Sequence, residues 1–319
     1  MAILGKVARW VAVFFATVLV ASLVIFLIAQ ALPGDVATTT LGTGASPQAL
    51  EALRMRWGLD RPLGLRYLEW LGHFAQGDFG TSYLTNQAVS SQIKPCLAVT
   101  AWLVGLSIPL SILVAVPLGL VAAMLRRRWV GALVNALSHL GLAIPVFFAG
   151  AVLVIVFAVK LGWLPANEYV PLGSSFAGWA RHLVLPVATI VLVQGCFLAR
   201  YVRAGFIEVL NEDYYRTARA GGWTKWRGLL RHGVRNVATS LVTVVGLQVS
   251  SLLVGAILVE QVFVLPGLGS LLVDAVRAHD LMVVQSVTMV LVFAVLVINL
   301  AVDLAYLLID PRLAKVGRR

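Results

Sequence analysis

Trp10-Val-Ala-Val-Phe-Phe-Ala-Thr-Val-Leu-Val-Ala-Ser-Leu-Val-Ile-Phe-Leu-Ile-Ala-Gln-Ala31 carries no charged side chain, and its polar members are only Thr17, Ser22 and Gln30. An α-helix rises 1.5 Å per residue, so about 20 such residues cross a hydrocarbon core ~30 Å thick. Further runs of the same kind extend from Leu97 to Leu125, Leu133 to Val159, Leu183 to Ala199, Val237 to Val259 and Val283 to Leu308. None alternates apolar and polar residues as a barrel strand does, and lipid leaves an open backbone unsatisfied. The reading is an all-α polytopic membrane protein with about six transmembrane helices.

Composition agrees. Of 319 residues, 60% are hydrophobic and 12% charged, against roughly a quarter charged in soluble domains; mean hydropathy is +0.91. Lys6 and Arg9 before the first run, with Ala29-Gln30-Ala31 after it, imitate a secretory signal. The apolar part exceeds the ~7–15 residues of a signal core, so it reads as a retained span. The net charge of +11 invites a nucleic-acid reading, but its distribution opposes one. With the N-terminus inside, Lys6, Arg9, Arg126 to Arg128, the cluster Arg200 to Arg235 and the residues after Asp310 hold most of the 25 Lys and Arg. This positive-inside asymmetry sets both termini in the cytoplasm. Cys96 and Cys196 read as small apolar residues, not as a disulfide or metal site.

The chain divides into residues 1–32 (N-terminus and first span), 33–96 (an extracytoplasmic loop) and 97–319 (a five-helix core with a cytoplasmic segment at 205–236). In the loop, Pro47–Trp57 and Leu65–Phe74 have helical periodicity, and Ser46 with Pro47 makes a plausible N-cap and first position. Pro109, Pro117, Pro145 and Pro186 fall inside spans and favour kinks.

The cytoplasmic segment carries the most information. Asn211 can cap a short helix opening on Glu212 and Asp213, whose charges suit its positive end. Gly221 and Gly222 can stop that helix, and Thr224 can cap the next. Two readings stay open for it: a rigid lever against a cytoplasmic motor, or a basic amphipathic segment held by anionic membrane lipid. On span five, Ser240, Gln248, Ser251 and Gly255 share one face at helical spacing. They suit either the lining of a transport path or tight helix packing. On span six, Asn299, Asp303 and Tyr306 recur likewise, as an inner gate or loop anchor, or as a structural ion pair. Pro266, Gly267 and Gly269 read as a tight outer turn. Lys6, Lys94, Lys160, Lys225 and Lys315 are the lysines, and only Lys6 follows a glycine, with Val7 after it. A P-loop needs Gly-Lys followed by Ser or Thr, so no Walker A exists. Glu212 and Asp213 diverge as neighbours on a helix, no nucleophile–base pair is evident, and His139 and His182 are isolated.

Arg216-Thr-Ala-Arg-Ala-Gly-Gly222 resembles the coupling motif of ABC-importer permeases. Asp213-Tyr-Tyr-Arg-Thr-Ala-Arg-Ala220 and Arg231-His-Gly-Val-Arg-Asn236 look like its dipeptide/oligopeptide version. Leu32-Pro-Gly-Asp35, Gly58-Leu-Asp-Arg-Pro-Leu63, Arg66-Tyr-Leu-Glu-Trp-Leu71 and Gly77-Asp-Phe-Gly-Thr-Ser82 resemble the subunit with the large N-terminal outer loop. Leu161-Gly-Trp-Leu-Pro165, Glu260-Gln-Val-Phe-Val-Leu-Pro-Gly-Leu-Gly269 and Asp310-Pro-Arg312 extend the match over nearly the whole chain. The chain departs from that branch at Gly221 (usually Lys), Ser240 (often Pro) and His279 (commonly Arg before Asp).

The resemblance implies a type I ABC-importer permease fold in a bacterial inner membrane. It also implies a second homologous permease, two ABC ATPase subunits and an extracytoplasmic solute-binding protein or lipoprotein as partners. Glu212, Asp213, Tyr214, Arg216, Thr217, Ala218 and Gly222 would couple to the ATPases. ATP and Mg²⁺ would belong to those partners, this chain holding no cofactor and no metal. Peptide is the substrate implied, with nickel, glutathione and oligosaccharide as alternatives within the family. An ion-coupled secondary transporter would need internal repeats and charged mid-membrane residues, which are not evident. A membrane-anchored scaffold leaves the polar face of span five unexplained.

Overall fold

The computed structural model describes residues 2–31, 38 and 45–309, apart from the side chains of residues 2–8, 232, 235, 236, 239, 249, 250, 303 and 305–309. The blocks at Leu32–Asp35 and Asp310–Arg312 lie outside the described residues. The helices are α1 (Ala2–Ala31), α2 (Pro47–Arg56), α3 (Leu63–Ala75), α4 (Val89–Met124), α5 (Trp129–Ala143) and α6 (Val146–Leu153, continued by a π-helix Val154–Lys160). They are followed by α7 (Phe176–Asn211), α8 (Asp213–Ala220), α9 (Lys225–Gly228, continued by a π-helix Leu229–Gly233), α10 (Val234–Val262), α11 (Leu268–Arg277) and α12 (Leu281–Ile309). Among the described residues, four helices are long and apolar enough to cross a membrane, and two bent pairs bring the number to as many as six, as expected.

Two expectations about the spans need correction. The run Leu133–Val159 is not one helix. Ile144 is extended, Pro145 has φ −60° and ψ 140°, and the axis turns by 104° between α5 and α6. A residue before proline is sterically driven out of the helical region, so the expected kink becomes a break. The second span starts well before Leu97, at Val89. Pro95 lies inside that helix and does not close the preceding loop.

The chain forms two compact units. The first comprises Met1–Thr100 and Pro266–Val297. Its core joins Val89, Ile93, Leu268, Ala275, Val283 and Val287, while Phe26 of α1, Trp70 of α3 and Met289 of α12 make a second cluster. Ser46 caps α2 as expected, accepting from the Ala49 N–H at 3.3 Å. The loop Phe79–Tyr83 is tied to the turn before α12. The Ser82 hydroxyl donates to the Asp280 carboxylate, the Tyr83 N–H reaches it at 3.4 Å, and the Ser286 hydroxyl donates to the Phe79 carbonyl at 2.9 Å. His279, at φ 59°, closes α11. The His279 N–H bonds the Val276 carbonyl at 3.1 Å and the Asp280 N–H bonds the Ala275 carbonyl at 2.9 Å, a Schellman stop. This stop presents Asp280 to Ser82.

The second unit comprises Ala101–Leu265 and Ile298–Arg319. Its core runs along α7 through Leu198, Ala199, Val202, Phe206 and Val209, joined by Ala115, Leu120, Ala123, Tyr215, Leu229, Val237 and Leu241. Small residues let the helices approach. A Cβ on Gly119 of α4 would lie 2.6 Å from Val202 Cγ1, and one on Gly141 of α5 would lie 2.4 Å from Cys196 Sγ. In α10 the axis turns by 51° between Ser240–Gln248 and Ser251–Val262. The turn expected at Pro266–Gly269 sits slightly earlier. Val264 takes the left-handed conformation at φ 51°, Gly267 is the N-cap of α11, and Gly269 is already helical and buried.

Candidate functional site

The segment between α7 and α10 folds as a helix, a turn and a helix, as its sequence suggests, with one difference at its start. Asn211 is the last residue of α7, and the N-cap of α8 is Glu212, which makes no side-chain cap bond. The burial of Phe206 and Val209 carries α7 through Asn211, so Asn211 is not available as a cap. Asp213 still occupies the first turn of α8, where its charge suits the helix dipole.

The end of α8 is a Schellman motif. The Gly222 N–H bonds the Arg219 carbonyl at 3.1 Å and the Trp223 N–H bonds the Ala218 carbonyl at 3.2 Å, with Gly222 at φ 88°. The Arg219 guanidinium also donates to the Trp223 carbonyl, tightening the turn. Thr224 then caps α9, accepting from the Arg227 N–H at 3.3 Å.

One side chain anchors α8. Tyr215 is 5% exposed and belongs to the core of the second unit. Its ring lies against Gly228, where a Cβ would meet Tyr215 Cε2 at 3.1 Å. Burial pushes the Tyr215 phenol above its ordinary range, with Arg219 opposing. Tyr214, the tyrosine expected to couple, is exposed, whereas Tyr215, for which no role is expected from sequence, is the one that packs. Glu212, Asp213, Tyr214, Arg216 and Thr217 are exposed, and Ala218 is half-buried. The Arg216–Asp213 pair, 3.3 Å apart and at 69% and 95% exposure, contributes little to stability. The helix therefore offers polar and charged groups on one side while Tyr215 fixes the other.

The four residues assigned to one face of span five separate into two places and a third stretch. Ser240 lines a hollow of about 190 Å³ with Glu208, Glu212 and Tyr214, at the base of α8. Gln248 lines a cavity of about 20 Å³ with Ser111 of α4 and Gln194 of α7, enough for about one water. Ser111 is 1% exposed, and its hydroxyl has no partner among the described residues. Ser251 and Gly255 follow the bend; Ser251 is exposed, and a Cβ on Gly255 would lie 3.9 Å from Val146 Cγ1. The bend after Gln248 parts Ser251 and Gly255 from the other two, while Ser240 and Gln248 lie ~12 Å apart along one stretch. Ser111 and Gln194 carry no signal along a single helix, because they meet Gln248 only where three helices pack. Asn299 is half-buried on α12; the side chains of Asp303 and Tyr306 lie outside the described residues.

Comparison with known proteins gives a consistent result. Residues 115–315 match the family model described as binding-protein-dependent transport system inner membrane component, and residues 4–104 match its N-terminal companion. A protein of Brucella abortus (strain 2308), named provisionally as a peptide transport system permease protein, is 41% identical over 310 residues, covering 97% of this chain and 98% of that protein. The glutathione transport system permease protein GsiC of Salmonella typhimurium (strain LT2) is 38% identical over 295 residues, covering 92% and 94%.

Proposed function

Because the chain belongs to the family of binding-protein-dependent transport system inner membrane components, we propose that it forms half of the translocation path of an ATP-driven importer for peptides. A multi-pass inner-membrane location follows from the family and the apolar helices. The observation that carries the reading is α8, a short helix pinned by Tyr215 and stopped at Gly222, lying inside the matched region. Such a helix can transmit a push to the core through Phe206, Val209 and Leu229, because these pack with Tyr215 in one cluster.

In this reading α8 faces the cytoplasm, both termini lie there, and the loop between α1 and α4 faces the binding protein. The positive-inside distribution supports that orientation. The assembly consists of this chain, a second permease, two ATPase subunits holding ATP and Mg²⁺, and one solute-binding protein. Nucleotide binding closes the ATPases, moves α8 and shifts the path from inward to outward access. Gln248, Ser111 and Gln194 supply polar groups within the helices, and peptide amides need such partners because a buried unpaired N–H or C=O is costly. End-to-end likeness to a peptide-named relative supports peptides as cargo. Glutathione, itself a tripeptide, is the variant a second relative's name supports.

The test is reconstitution. The purified chain alone should hydrolyse no ATP, whereas vesicles with all subunits and a peptide-loaded binding protein should hydrolyse it and accumulate peptide. Hydrolysis by the isolated chain, or uptake driven by an ion gradient without partners, would overturn the reading.

A further inference from the structure

The corner that joins α4 to α5 concentrates positive charge. α4 ends at Met124 and α5 begins at Trp129, with Arg126, Arg127 and Arg128 between them. The corner is tight: the Arg128 N–H bonds the Leu125 carbonyl at 2.8 Å, and a Cβ on Gly131 would strike that same carbonyl. All three arginines are exposed. Among the described residues no carboxylate pairs with any of them. The neighbouring sequence supplies none, since no Asp or Glu occurs from Phe79 to Asn167.

Below the charge lies an apolar stripe. Trp129, 76% exposed, opens it, and Leu133, Leu137 and Leu140 continue it, all exposed. At 100° per residue these four fall within about 80° of one another. The polar Asn135, Ser138 and His139 fall outside the stripe, and Gly131, Ser138 and Gly141 are the buried residues of α5. From Trp129 to Leu140 the helix rises about 16 Å, close to half of a hydrocarbon core ~30 Å thick. That is the depth of one leaflet. α4 is itself a candidate span and α5 belongs to a bent span pair, so the corner stands where two apolar helices leave the hydrocarbon. Trp at that level suits the headgroup zone, and the forked guanidinium of Arg matches phosphate oxygens.

We propose that the α4–α5 corner binds an anionic phospholipid. Arg126, Arg127 and Arg128 hold its phosphate, and one acyl chain lies along Trp129, Leu133, Leu137 and Leu140. A free phosphate would satisfy the arginines and leave the stripe uncovered. A protein partner would need carboxylates set opposite three arginines and an apolar face beside them. A lipid brings both parts in one molecule. The site is independent of the cargo and of α8, so it stands or falls apart from the importer reading.

The full chain is placed in phosphatidylcholine vesicles, and phosphatidylglycerol with brominated acyl chains, which quench nearby tryptophan, is titrated in. Trp129 is one of nine tryptophans, so the difference from Trp129→Phe isolates its signal. Brominated phosphatidylglycerol should quench Trp129 saturably at a lower mole fraction than brominated phosphatidylcholine does. Arg127→Gln should raise the half-saturating fraction about fivefold, the usual share of one basic residue at an anionic surface. Replacing all three arginines by Gln should raise it more than tenfold. The single variant keeps the test readable if the triple one inserts in the wrong orientation, because arginines also orient spans. Arg216, Arg219 and Arg227 replaced together by Gln remove equal charge elsewhere and should change nothing. Inorganic phosphate at millimolar concentration should not relieve the quenching. Equal quenching by the two brominated lipids, an unaltered titration in Arg127→Gln, the same loss in the control variant, or relief by phosphate would each overturn the proposal. So would loss of the quenching when the partner permease and ATPase subunits are added, since a protein would then cover the stripe.

Discussion

Gly222 shows how a single residue constrains the coupling segment. At φ 88° it occupies a conformation that costs other residues about 1 kcal/mol or more, and nothing lies within 4 Å of a Cβ built there. The penalty of substitution is therefore conformational, with no steric clash. Gly222→Val should leave the spans inserted but misdirect α8, so that the ATPase subunits co-purify poorly and vesicle uptake falls. Gly222→Asn, which tolerates left-handed backbone better, should retain more of both. Normal docking and uptake in the valine variant would mean that the segment is only a basic connection at the membrane surface. The neighbouring tyrosines carry a related lesson. Tyr214 and Tyr215 are chemically identical, yet one is exposed and the other is core, and the packing of α7 and α9 decides which.

Among the elements, α4 and α7 depend on close contact. A Cβ at Gly119 would sit 2.6 Å from Val202 Cγ1 and 2.8 Å from the Ala199 carbonyl oxygen, and the backbone atom cannot rotate away. Gly119→Ala should destabilise the detergent-purified chain by ~1–3 kcal/mol, the usual cost of overpacking. Gly105→Ala, on the same helix with nothing within 4 Å of its Cβ, is the control and should be neutral or slightly stabilising, because alanine favours helix. Thermal melts of the two variants decide the matter; equal melting temperatures would contradict the close packing. The break at Ile144–Pro145 and the bend in α10 belong to this scale too. The bend in α10 parts Ser251 and Gly255 from Ser240 and Gln248, which share the stretch before it.

For the molecule as a whole, the orientation proposed from charge is open to direct test. A reporter active only in the cytoplasm should function when fused after Arg128 or at Arg319 and fail after Asp78. Activity at Asp78 would reverse the topology and place α8 on the wrong side for an ATPase. The two compact units divide labour in this reading. The first carries the loop clamped by Asp280; the second carries α8 and the polar cavity at Ser111, Gln194 and Gln248.

The apolar runs, the all-helical class and the importer family were legible in the sequence, because hydrophobic length and motif blocks are local properties. So were the cap at Ser46, the stop at Gly222 and the cap at Thr224, since each depends on backbone conformation within a few residues. Other features needed the tertiary structure. Asn211 lost its capping role to the packing of Phe206 and Val209. Ser82 and Asp280 meet across 198 positions of sequence, and Ser111, Gln194 and Gln248 come from three different helices. No periodicity along one helix reports such meetings, because helix axes, bends and close approaches set them, and those are fixed only when the helices pack.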